Sequence, residues 1–500
     1  MNLRVFTFLL GVPALCGVAN RTDTALADAA QQKNPALIQN LLSRHADPNA
    51  PQADGTTALH WAVNQDDTDT VLLLLRSGAD AKSANRYGVT PLSLACTNGN
   101  GTIVKALLDA GADPNTALPG GETVLMTAAR TGKVGAIKAL LARGAAVEGA
   151  VEGKDKSAGQ TALMWAAAEG NVEAVEVLIR AGADIHARLD SGFTPFLFAA
   201  REGRIGAVQA LLKAGVDVNE TVQARKGPGA RPASGAGSPR VGTSALVLAT
   251  TNAHYELAAK LLLAGANANA AESGYTALHV ISQARKPGGG DNDPPPEGSG
   301  NVTSIELAKL LVQHGADVNA RMTKKVNFGL TNLNVIGATP FFLAAKTADV
   351  ELMRTLASLG ADPRIPNADG STPLMAVAGL GTRSPGEDAG TESEVAEAMQ
   401  LALDLGADID AVDSKGETAM HGAAYKNFPG AVQFLAAKGA KIEIWNKPNS
   451  HGWTPLTIAE GYRFGNFKPS PDTVAALVKV MKAAGVPIPP PGKPPLKENY

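Results

Sequence analysis

The sequence predicts an all-α repeat solenoid, built from stacked helix-turn-helix units that are joined by short β-hairpin loops. A motif of the general form Gly-x-Thr-x-Leu returns eleven times, and five of its ten intervals are 32 or 33 residues long. Each copy is followed by a Leu-rich stretch that ends at a glycine. Such a period is typical of arrays whose units bury their apolar faces against neighbours. The motifs begin at Gly55, Gly88, Gly121, Gly159, Gly192, Gly242, Gly274, Gly337, Gly370, Gly416 and Gly452.

The motif itself predicts the start of a first helix. Its threonine is expected to be the N-cap, because the hydroxyl can accept from an otherwise unpaired backbone N–H. In five copies proline follows, in the first helical turn, where the missing N–H costs nothing. Small residues such as Ala166 and Ala167 then allow neighbouring helices to approach closely. These prolines are Pro91, Pro195, Pro340, Pro373 and Pro455.

A second helix is predicted from an apolar stripe at helical spacing, as in Val172, Val175, Leu178 and Ile179. It ends at a glycine in all eleven copies, which predicts a C-terminal cap with positive φ. Asp-x-Asn segments follow, and we expect them to form turns into the next motif. The terminal glycines are Gly78, Gly111, Gly144, Gly182, Gly215, Gly265, Gly315, Gly360, Gly406, Gly439 and Gly485.

These linked motifs resemble the ankyrin repeat family. The best copies read GTTALHWAV from Gly55, GVTPLSLAC from Gly88 and GQTALMWAA from Gly159, and the resemblance runs from about Leu26 to Gly485. It predicts an ankyrin repeat solenoid over residues 20–485, with an N-terminal cap at 20–54 and eleven repeats at 55–485. Within the cap, His45 stands where the other copies have glycine.

The array is lengthened by insertions near residues 222–241, 284–301, 322–336 and 379–392. Their low apolar content is typical of tolerated loop growth. The first and third lengthen hairpins, whereas the second and fourth separate the two helices of a repeat. We therefore expect the two classes to lie on different flanks and to share no partner. The Pro-rich tail at 486–500 is interpreted as an extended spacer, with a polyproline ligand as the alternative.

The N-terminus predicts a signal peptide over residues 1–19. It begins with Arg4, continues through an apolar stretch that is too short to span a bilayer comfortably, and ends in Gly17-Val18-Ala19. The protein is therefore expected to be exported to the periplasm or the extracellular space. Lipoprotein anchoring through Cys16 is disfavoured because bulky Leu15 precedes it, and no later segment is expected to span a membrane. Cys96, at a small-residue position of a first helix, is expected to be buried and inert.

Composition and motifs argue against several functional classes. The formal net charge of −2 gives no strong basic field for nucleic acid. No catalytic residue, cofactor site or metal site is predicted. Asp408, Asp410 and Asp413 coincide with an ordinary repeat turn, and no glutamate stands at a bidentate position for calcium. Three histidines share one motif position and are interpreted as structural hydrogen-bonding residues; they are His60, His279 and His421.

The exposed surface is the predicted functional feature. Resemblance to ankyrin arrays implies that a partner protein docks on a concave face made by hairpin tips and first helices. Arginine and aromatic residues at those positions are candidate anchors. Trp61 and Trp165 occupy an apolar position and are assigned to packing. The candidate binding residues are Arg86, Tyr87, Arg130, Phe193, Arg201, Tyr275, Lys346, Tyr425 and Trp453.

The sequence therefore predicts a non-enzymatic, monomeric scaffold of the cell envelope that binds another protein. One alternative is a secreted effector that binds host proteins. A second alternative is a regulatory subunit of a periplasmic enzyme. An appended catalytic segment is disfavoured because the repeats occupy nearly the whole chain.

Overall fold

The computed structural model describes residues 24–149, 159–223, 241–287, 295–326, 331–386, 389–463, 465 and 468–490. The predicted signal peptide, Cys16, most of the 222–241 insertion and the last ten residues of the tail lie outside the described residues. The structure divides into two compact units. The first comprises Met1–Ala166 and Glu173–Asp184, and the second comprises Ala167–Val172 and Ile185–Tyr500.

The described part of the first unit consists of antiparallel helix pairs, and the all-α repeat fold is confirmed. The chain crosses between the units near the junction of α9 and α10. The helices up to this point are α1 (Ala25–Gln31), α2 (Pro35–Ser43), α3 (Ala58–Asn64), α4 (Thr68–Arg76), α5 (Pro91–Asn98), α6 (Gly101–Asp109), α7 (Val124–Thr131), α8 (Val134–Ala142), α9 (Ala162–Glu169) and α10 (Val172–Arg180).

The second unit continues the same pairing, with one additional short helix, α23. Its helices are α11 (Pro195–Arg201), α12 (Ile205–Lys213), α13 (Ala245–Thr251), α14 (Tyr255–Leu263), α15 (Ala277–Arg285), α16 (Ser304–Gln313), α17 (Pro340–Lys346), α18 (Val350–Ser358), α19 (Pro373–Ala378), α20 (Glu392–Asp404), α21 (Ala419–Lys426), α22 (Pro429–Ala437), α23 (Ile442–Trp445), α24 (Pro455–Ala459) and α25 (Pro471–Ala483).

The motif threonines cap the first helices, as predicted. Thr90 Oγ1 accepts from the Ser93 backbone N–H at 3.2 Å, and Thr339 Oγ1 accepts from Phe342 at 3.1 Å. Ser244 stands at the threonine position of one copy and makes the same bond to Val247. A hydroxyl at this position supplies the bond that the first turn of a helix lacks.

The core is built from the small residues of the first helices and the apolar stripes of the second helices. Leu178 in the first unit and Leu356 in the second are both completely buried. Cys96 is also completely buried, and burial raises the pKa of its thiol to about 12. The expected burial of this thiol is therefore confirmed, and its raised pKa disfavours the thiolate, which is the reactive form.

The glycines that end the second helices have positive φ, as predicted. Gly182 has φ of 93° and Gly360 has φ of 96°, and a Cβ atom at either position would meet no atom within 4 Å. Glycine is therefore required there for its backbone conformation and not for space. His45, at the same position in the N-terminal helix pair, has φ of 62°.

The Asp-x-Asn segments form turns, as expected, and also connect successive repeats. Asp317 Oδ1 accepts from the Asn319 backbone N–H at 2.9 Å, which closes the turn. Asn319 then donates through Nδ2 to the Gly360 carbonyl at 3.3 Å and accepts from the Asp362 N–H at 2.8 Å. We call this two-bond contact the asparagine bridge. It satisfies a carbonyl that the end of a helix leaves unpaired.

Hairpin turns join the repeats, although the described residues contain no strand longer than an isolated bridge. The Asn85 N–H donates to the Val89 carbonyl at 3.0 Å, and other turns repeat this pattern. The isolated bridges are Ala117 with Thr123, Thr221 with Ser244, and Thr331 with Thr382. No helix among the described residues combines the length and the apolar character needed to cross a bilayer.

Two insertions contact each other, so the expected separation of the two insertion classes is wrong. Thr331 bridges to Thr382, and the Asn332 N–H donates to the Gly381 carbonyl at 2.8 Å. These residues belong to the 322–336 and 379–392 insertions. A Cβ atom on Gly381 would lie 2.5 Å from the Leu333 backbone nitrogen, so this close approach requires glycine.

Candidate functional site

Two of the predicted surface positions pair with each other inside a repeat. The residue between the motif glycine and threonine lies eight positions before a residue near the end of the first helix. Their side chains meet as Glu122 with Arg130, Phe193 with Arg201, and Glu417 with Tyr425. The sequence treats the positions at hairpin tips and those on first helices separately, whereas the structure brings residues from these two kinds of position into contact.

In the first unit, this pairing presents an arginine over an aromatic ring. Arg130 Nη2 lies 3.6 Å from Glu122 Oε1, and the Arg130 guanidinium carbon lies 5.8 Å from the centre of the Trp165 ring. The Arg130 side chain keeps 36% of its surface exposed. A guanidinium held in this way is pre-organised for a partner while part of it faces solvent.

Arg86 and Tyr87 lie exposed at one hairpin tip of the first unit, as expected. The Arg86 backbone N–H donates to the Asp54 carbonyl of the preceding hairpin at 2.9 Å, and Asn85 Oδ1 accepts from the Tyr87 N–H at 3.0 Å. The backbone is therefore held while both side chains are free to make contacts. Tyr87 is 64% exposed, an unusually high value for a tyrosine in this structure.

In the second unit, Arg201 covers two phenylalanine rings. Its guanidinium carbon lies 5.2 Å from the centre of the Phe193 ring and 5.0 Å from that of Phe198. The two rings lie 5.0 Å apart and are tilted by 47°. Glu202 accepts from Arg201 Nε at 2.8 Å, which fixes the guanidinium above the rings.

The expected exposure of four aromatic candidates is wrong. Phe193, Tyr275, Tyr425 and Trp453 are 4%, 9%, 6% and 8% exposed. Phe193, Tyr275 and Trp453 each follow a motif glycine, and the contact of Phe193 with Arg201 shows this position turning towards the first helix of its own repeat. Tyr425 lies on α21 and is buried with its hydroxyl bonded to Glu417. Lys346 is half-buried on α17.

Trp61 and Trp165, which the sequence assigns to packing, are both half-buried. Trp61 donates through Nε1 to Gln52 Oε1 at 2.8 Å. The buried Trp165 Nε1 has no hydrogen-bond partner among the described residues. The Arg130 guanidinium lies over the Trp165 ring. Trp165 is therefore part of the arginine-aromatic contact, which the sequence did not reveal.

The three motif histidines are structural, as predicted. The Nδ1 atoms of His60, His279 and His421 lie 2.8, 2.9 and 3.0 Å from the hydroxyl of the capping threonine. Their Nε2 atoms lie 3.0, 3.3 and 3.2 Å from backbone carbonyls of Val89, Ala338 and Lys447. Because a carbonyl only accepts, Nε2 carries the proton. The backbone N–H of each capping threonine donates to Nδ1, so Nδ1 is unprotonated and the ring is neutral. Burial lowers the pKa of His279 and of His421 to about 4.

The Asp408, Asp410 and Asp413 string serves turns, as the sequence interpretation holds. Asp408 Oδ1 accepts from the Asp410 N–H at 3.0 Å, and Asp413 Oδ1 accepts from the N–H groups of Lys415 and Glu417 at 2.9 Å. Among the described residues, no group of three or more His, Cys, Asp or Glu side chains is arranged to hold a metal ion.

A cavity that the sequence did not predict lies within the second unit. Its volume is about 330 Å³, and both contacting insertions contribute to its wall. Glu417 is its buried carboxylate: Oε1 accepts from Tyr425 Oη and from Asn449 Nδ2, both at 2.8 Å. We call it the insertion cavity, and it is lined by Asn332, Leu333, Ser371, Leu380, Gly381, Thr382, Lys415, Glu417, Tyr425 and His451.

Models of ankyrin repeats match the chain over most of its length. A model of three ankyrin repeat copies matches residues 26–118, 116–189, 152–222 and 390–481, and a single-repeat model matches residues 273–323. The chain belongs to the ankyrin repeat family. Ankyrin repeats are protein-interaction modules and are generally not catalytic.

The chain is also similar to a human protein, "Ankyrin repeat and SOCS box protein 16". It is 34% identical over 219 residues, which cover 44% of this chain and 40% of the relative. The match therefore spans less than half of either protein.

Proposed function

We propose that this ankyrin repeat chain is a non-enzymatic scaffold of the cell envelope that binds a partner protein. The observation that carries the proposal is the recurrent placement of an arginine over aromatic rings at the end of a first helix. Arg130 lies over Trp165 in the first unit, and Arg201 lies over Phe193 and Phe198 in the second. Arginine and aromatic residues are the usual energetic anchors of protein interfaces.

The exposed tip residues Arg86 and Tyr87 extend the proposed surface of the first unit. Both side chains face solvent, whereas the backbone beneath them is hydrogen-bonded to the preceding hairpin. A side chain on a fixed backbone loses less conformational freedom when it binds. Of the candidates, Arg86, Tyr87, Arg130 and Arg201 are therefore the proposed contacts. Trp165 lies beneath Arg130, and Phe193 and Phe198 lie beneath Arg201.

The test compares charge reversals on and off this surface in a capture experiment. The chain lacking residues 1–19 is used as bait in envelope extract, and Arg130→Glu and Arg201→Glu are expected to abolish capture of the partner. Arg180→Glu and Lys213→Glu are the matched controls, because they make the same charge change at the ends of second helices. Truncating a hot-spot residue costs about 2 kcal/mol or more, whereas a neutral neighbour costs little.

Folding must be followed alongside capture, because Arg201 also covers two rings. Arg201→Met keeps an aliphatic cover over Phe193 and Phe198 while it removes the charge. Removing residues 227–239, which lie outside the described residues, is expected to matter less than either reversal. Normal capture by both reversals, with loss of capture after the loop deletion, would assign recognition to the insertion instead.

The proposed envelope location rests on the N-terminal pattern of Arg4, an apolar stretch and Gly17-Val18-Ala19. Export with cleavage after Ala19 predicts that the mature protein begins at Asn20. N-terminal sequencing of the protein from its native cells measures this directly. An intact Met1 in a cytosolic fraction would rule out the envelope location and leave the binding proposal to its own test.

A further inference from the structure

The insertion cavity contains a carboxylate whose hydrogen bonds all use one oxygen. Glu417 is 8% exposed, and its Oε1 accepts from Tyr425 Oη and Asn449 Nδ2, which lie 3.2 Å from each other. No group among the described residues donates to Glu417 Oε2. Two donors on one oxygen stabilise the ionised form and leave the other oxygen available to a ligand.

The charges around Glu417 favour a cation. Asp413 is 6% exposed, and its Oδ2 accepts from the Ser371 hydroxyl at 2.9 Å. Lys415 is paired with Asp369 at 2.7 Å, so its charge is largely compensated. Partial burial, and to a lesser extent the charge that remains on Lys415, lowers the pKa of His451, which favours the neutral ring. The cavity thus carries net negative charge, which centres on the buried carboxylates Glu417 and Asp413.

The walls contributed by the insertions are partly apolar. Leu333 comes from the 322–336 insertion and is 6% exposed, and Leu380 comes from the 379–392 insertion and is 3% exposed. The backbone contact of Asn332 with Gly381 holds these two segments together. A volume of about 330 Å³ lies at the lower end of the range for small-ligand pockets.

We propose that the insertion cavity binds an aliphatic cation of the lysine or arginine type. Its ammonium or guanidinium group donates to Glu417 Oε2, and its methylene stem packs against Leu333 and Leu380. The cavity shares no residue with the proposed contacts Arg86, Tyr87, Arg130 and Arg201. Its occupant is either a free amino acid or a basic side chain of a polypeptide, which present the same chemistry to the cavity.

The test measures binding of defined probes to the full chain by isothermal titration calorimetry. N-acetyl-arginine methylamide and N-acetyl-lysine methylamide are expected to bind. The citrulline analogue has nearly the shape of arginine without its charge, and it is expected to bind at least tenfold more weakly than the arginine probe. Equal binding of the arginine and citrulline probes, or no binding of either cation, would overturn the proposal. Free arginine is the additional arm: tighter binding of free arginine indicates an amino acid, and tighter binding of the capped probe indicates a polypeptide side chain.

Two variants connect the probe to the cavity. Glu417→Gln is expected to weaken binding of the arginine probe at least tenfold, whereas Glu122→Gln, at the same repeat position in the first unit, leaves it unchanged. Asn332→Arg places a tethered cation at the exposed edge of the cavity and is expected to block the probe, with Asn332→Gln as its control. Asn332→Arg leaves the buried groups intact, so it decides the question even where Glu417→Gln unfolds. Unchanged binding to Asn332→Arg would contradict the proposal.

Binding should also weaken as the pH falls. Burial raises the pKa of Glu417, and the negative charge of Asp413 adds to this, whereas Tyr425, Asn449 and Lys415 oppose it. Protonation of Glu417 removes the charge that the ligand needs, and protonation of His451 adds a competing positive charge. The loss is therefore expected to begin above the usual pKa of a glutamate. A pH-independent affinity between pH 7 and pH 4 would contradict the assignment of Glu417.

Discussion

The two units of this chain contain the same repeat but differ in how its repeats are tied together. In the first unit, the motif intervals are 33, 33 and 38 residues. Asn49 and Asn115 each make the asparagine bridge to the next repeat. In the second unit, intervals reach 50, 63 and 46 residues. The same bridge persists there at Asn269 and Asn319.

The second unit has further ties that come from the inserted segments. Arg285 bonds to Asp349 and Glu351, and Lys286 bonds to Glu394 at 2.7 Å. Thr331 bridges to Thr382. Inserted residues therefore leave the repeat-to-repeat bonds in place and add contacts between segments far apart in sequence. The difference shows that loop growth in a repeat array can create both stabilising networks and a new cavity.

The largest expected effect comes from removing a buried leucine in each unit. Leu178→Ala and Leu356→Ala should each cost about 2–5 kcal/mol of unfolding free energy, because both side chains are completely buried. Hydrogen exchange should show opening near residue 178 that is limited to adjacent repeats. After Leu356→Ala the opening should extend to Arg285 and Glu394, through the added ion pairs. A uniform rise in exchange along the chain would contradict both expectations.

An ion pair in each unit provides the second comparison. Arg285→Ala should cost about 3 kcal/mol, because Asp349, whose side chain is 2% exposed, loses its charged partner. Arg143→Ala should cost less than about 1 kcal/mol, because Arg143 and Asp109 are 49% and 41% exposed. Urea denaturation of the two variants measures the difference. A double-mutant cycle of Arg285→Ala with Asp349→Asn separates the pair from other effects, and equal costs for the two arginines would show that the added tie is not stabilising.

Acid should weaken the second unit more than the first. His279 and His421 have pKa values of about 4 in the folded protein, below the ordinary value of 6.5, so the unfolded chain binds more protons. The stability that comes from keeping these two histidines neutral is fully present above pH 6.5 and is lost as the pH falls towards 4. At pH 5 the loss is about 2 kcal/mol for each histidine. The first unit has one histidine at this position, His60, whose pKa burial also lowers.

The measurement is the free energy of unfolding at pH 7 and at pH 5. Hydrogen exchange at the two pH values assigns the loss of stability to one unit or the other. His279→Gln and His421→Gln should each remove part of the pH dependence. Glu417 acts in the opposite direction, because burial raises its pKa, so that the folded chain takes up this proton at a higher pH than the unfolded chain does. Glu417→Gln should therefore steepen the loss of stability in acid, and a shallower loss in this variant would contradict the raised pKa of Glu417.

Much of the fold could be predicted because its determinants are local and repeat. Thr90 needs only the next helical turn to act as a cap, and Gly182 needs only its own backbone to adopt positive φ. The histidines were assigned correctly because three copies share one position. The asparagine bridge could also have been found, since Asn49, Asn115 and Asn319 recur after the terminal residue of a second helix.

The candidate surface and the cavity were harder to predict, because they depend on contacts that have no fixed spacing. Burial of Phe193 follows from its contact with Arg201, and that of Tyr425 follows from Glu417 and Asn449. The contact of Thr331 with Thr382 joins two insertions of different lengths, and no periodicity specifies it. Sequence patterns therefore identify the repeat, whereas the structure is needed to identify what its irregular segments form.

The smallest expected effect is the most direct test of whether an insertion loosens the array. Asn49 and Asn269 make the same bridge, with Nδ2 3.0 and 2.7 Å from the carbonyls of Gly78 and Gly315. Both side chains are exposed, so Asn49→Ala and Asn269→Ala should each cost about 1 kcal/mol. The two costs should be equal, because the 284–301 insertion lies between the two helices of its repeat and does not alter the bridge. A markedly smaller cost for Asn269→Ala would mean that the inserted residues strain this step of the array.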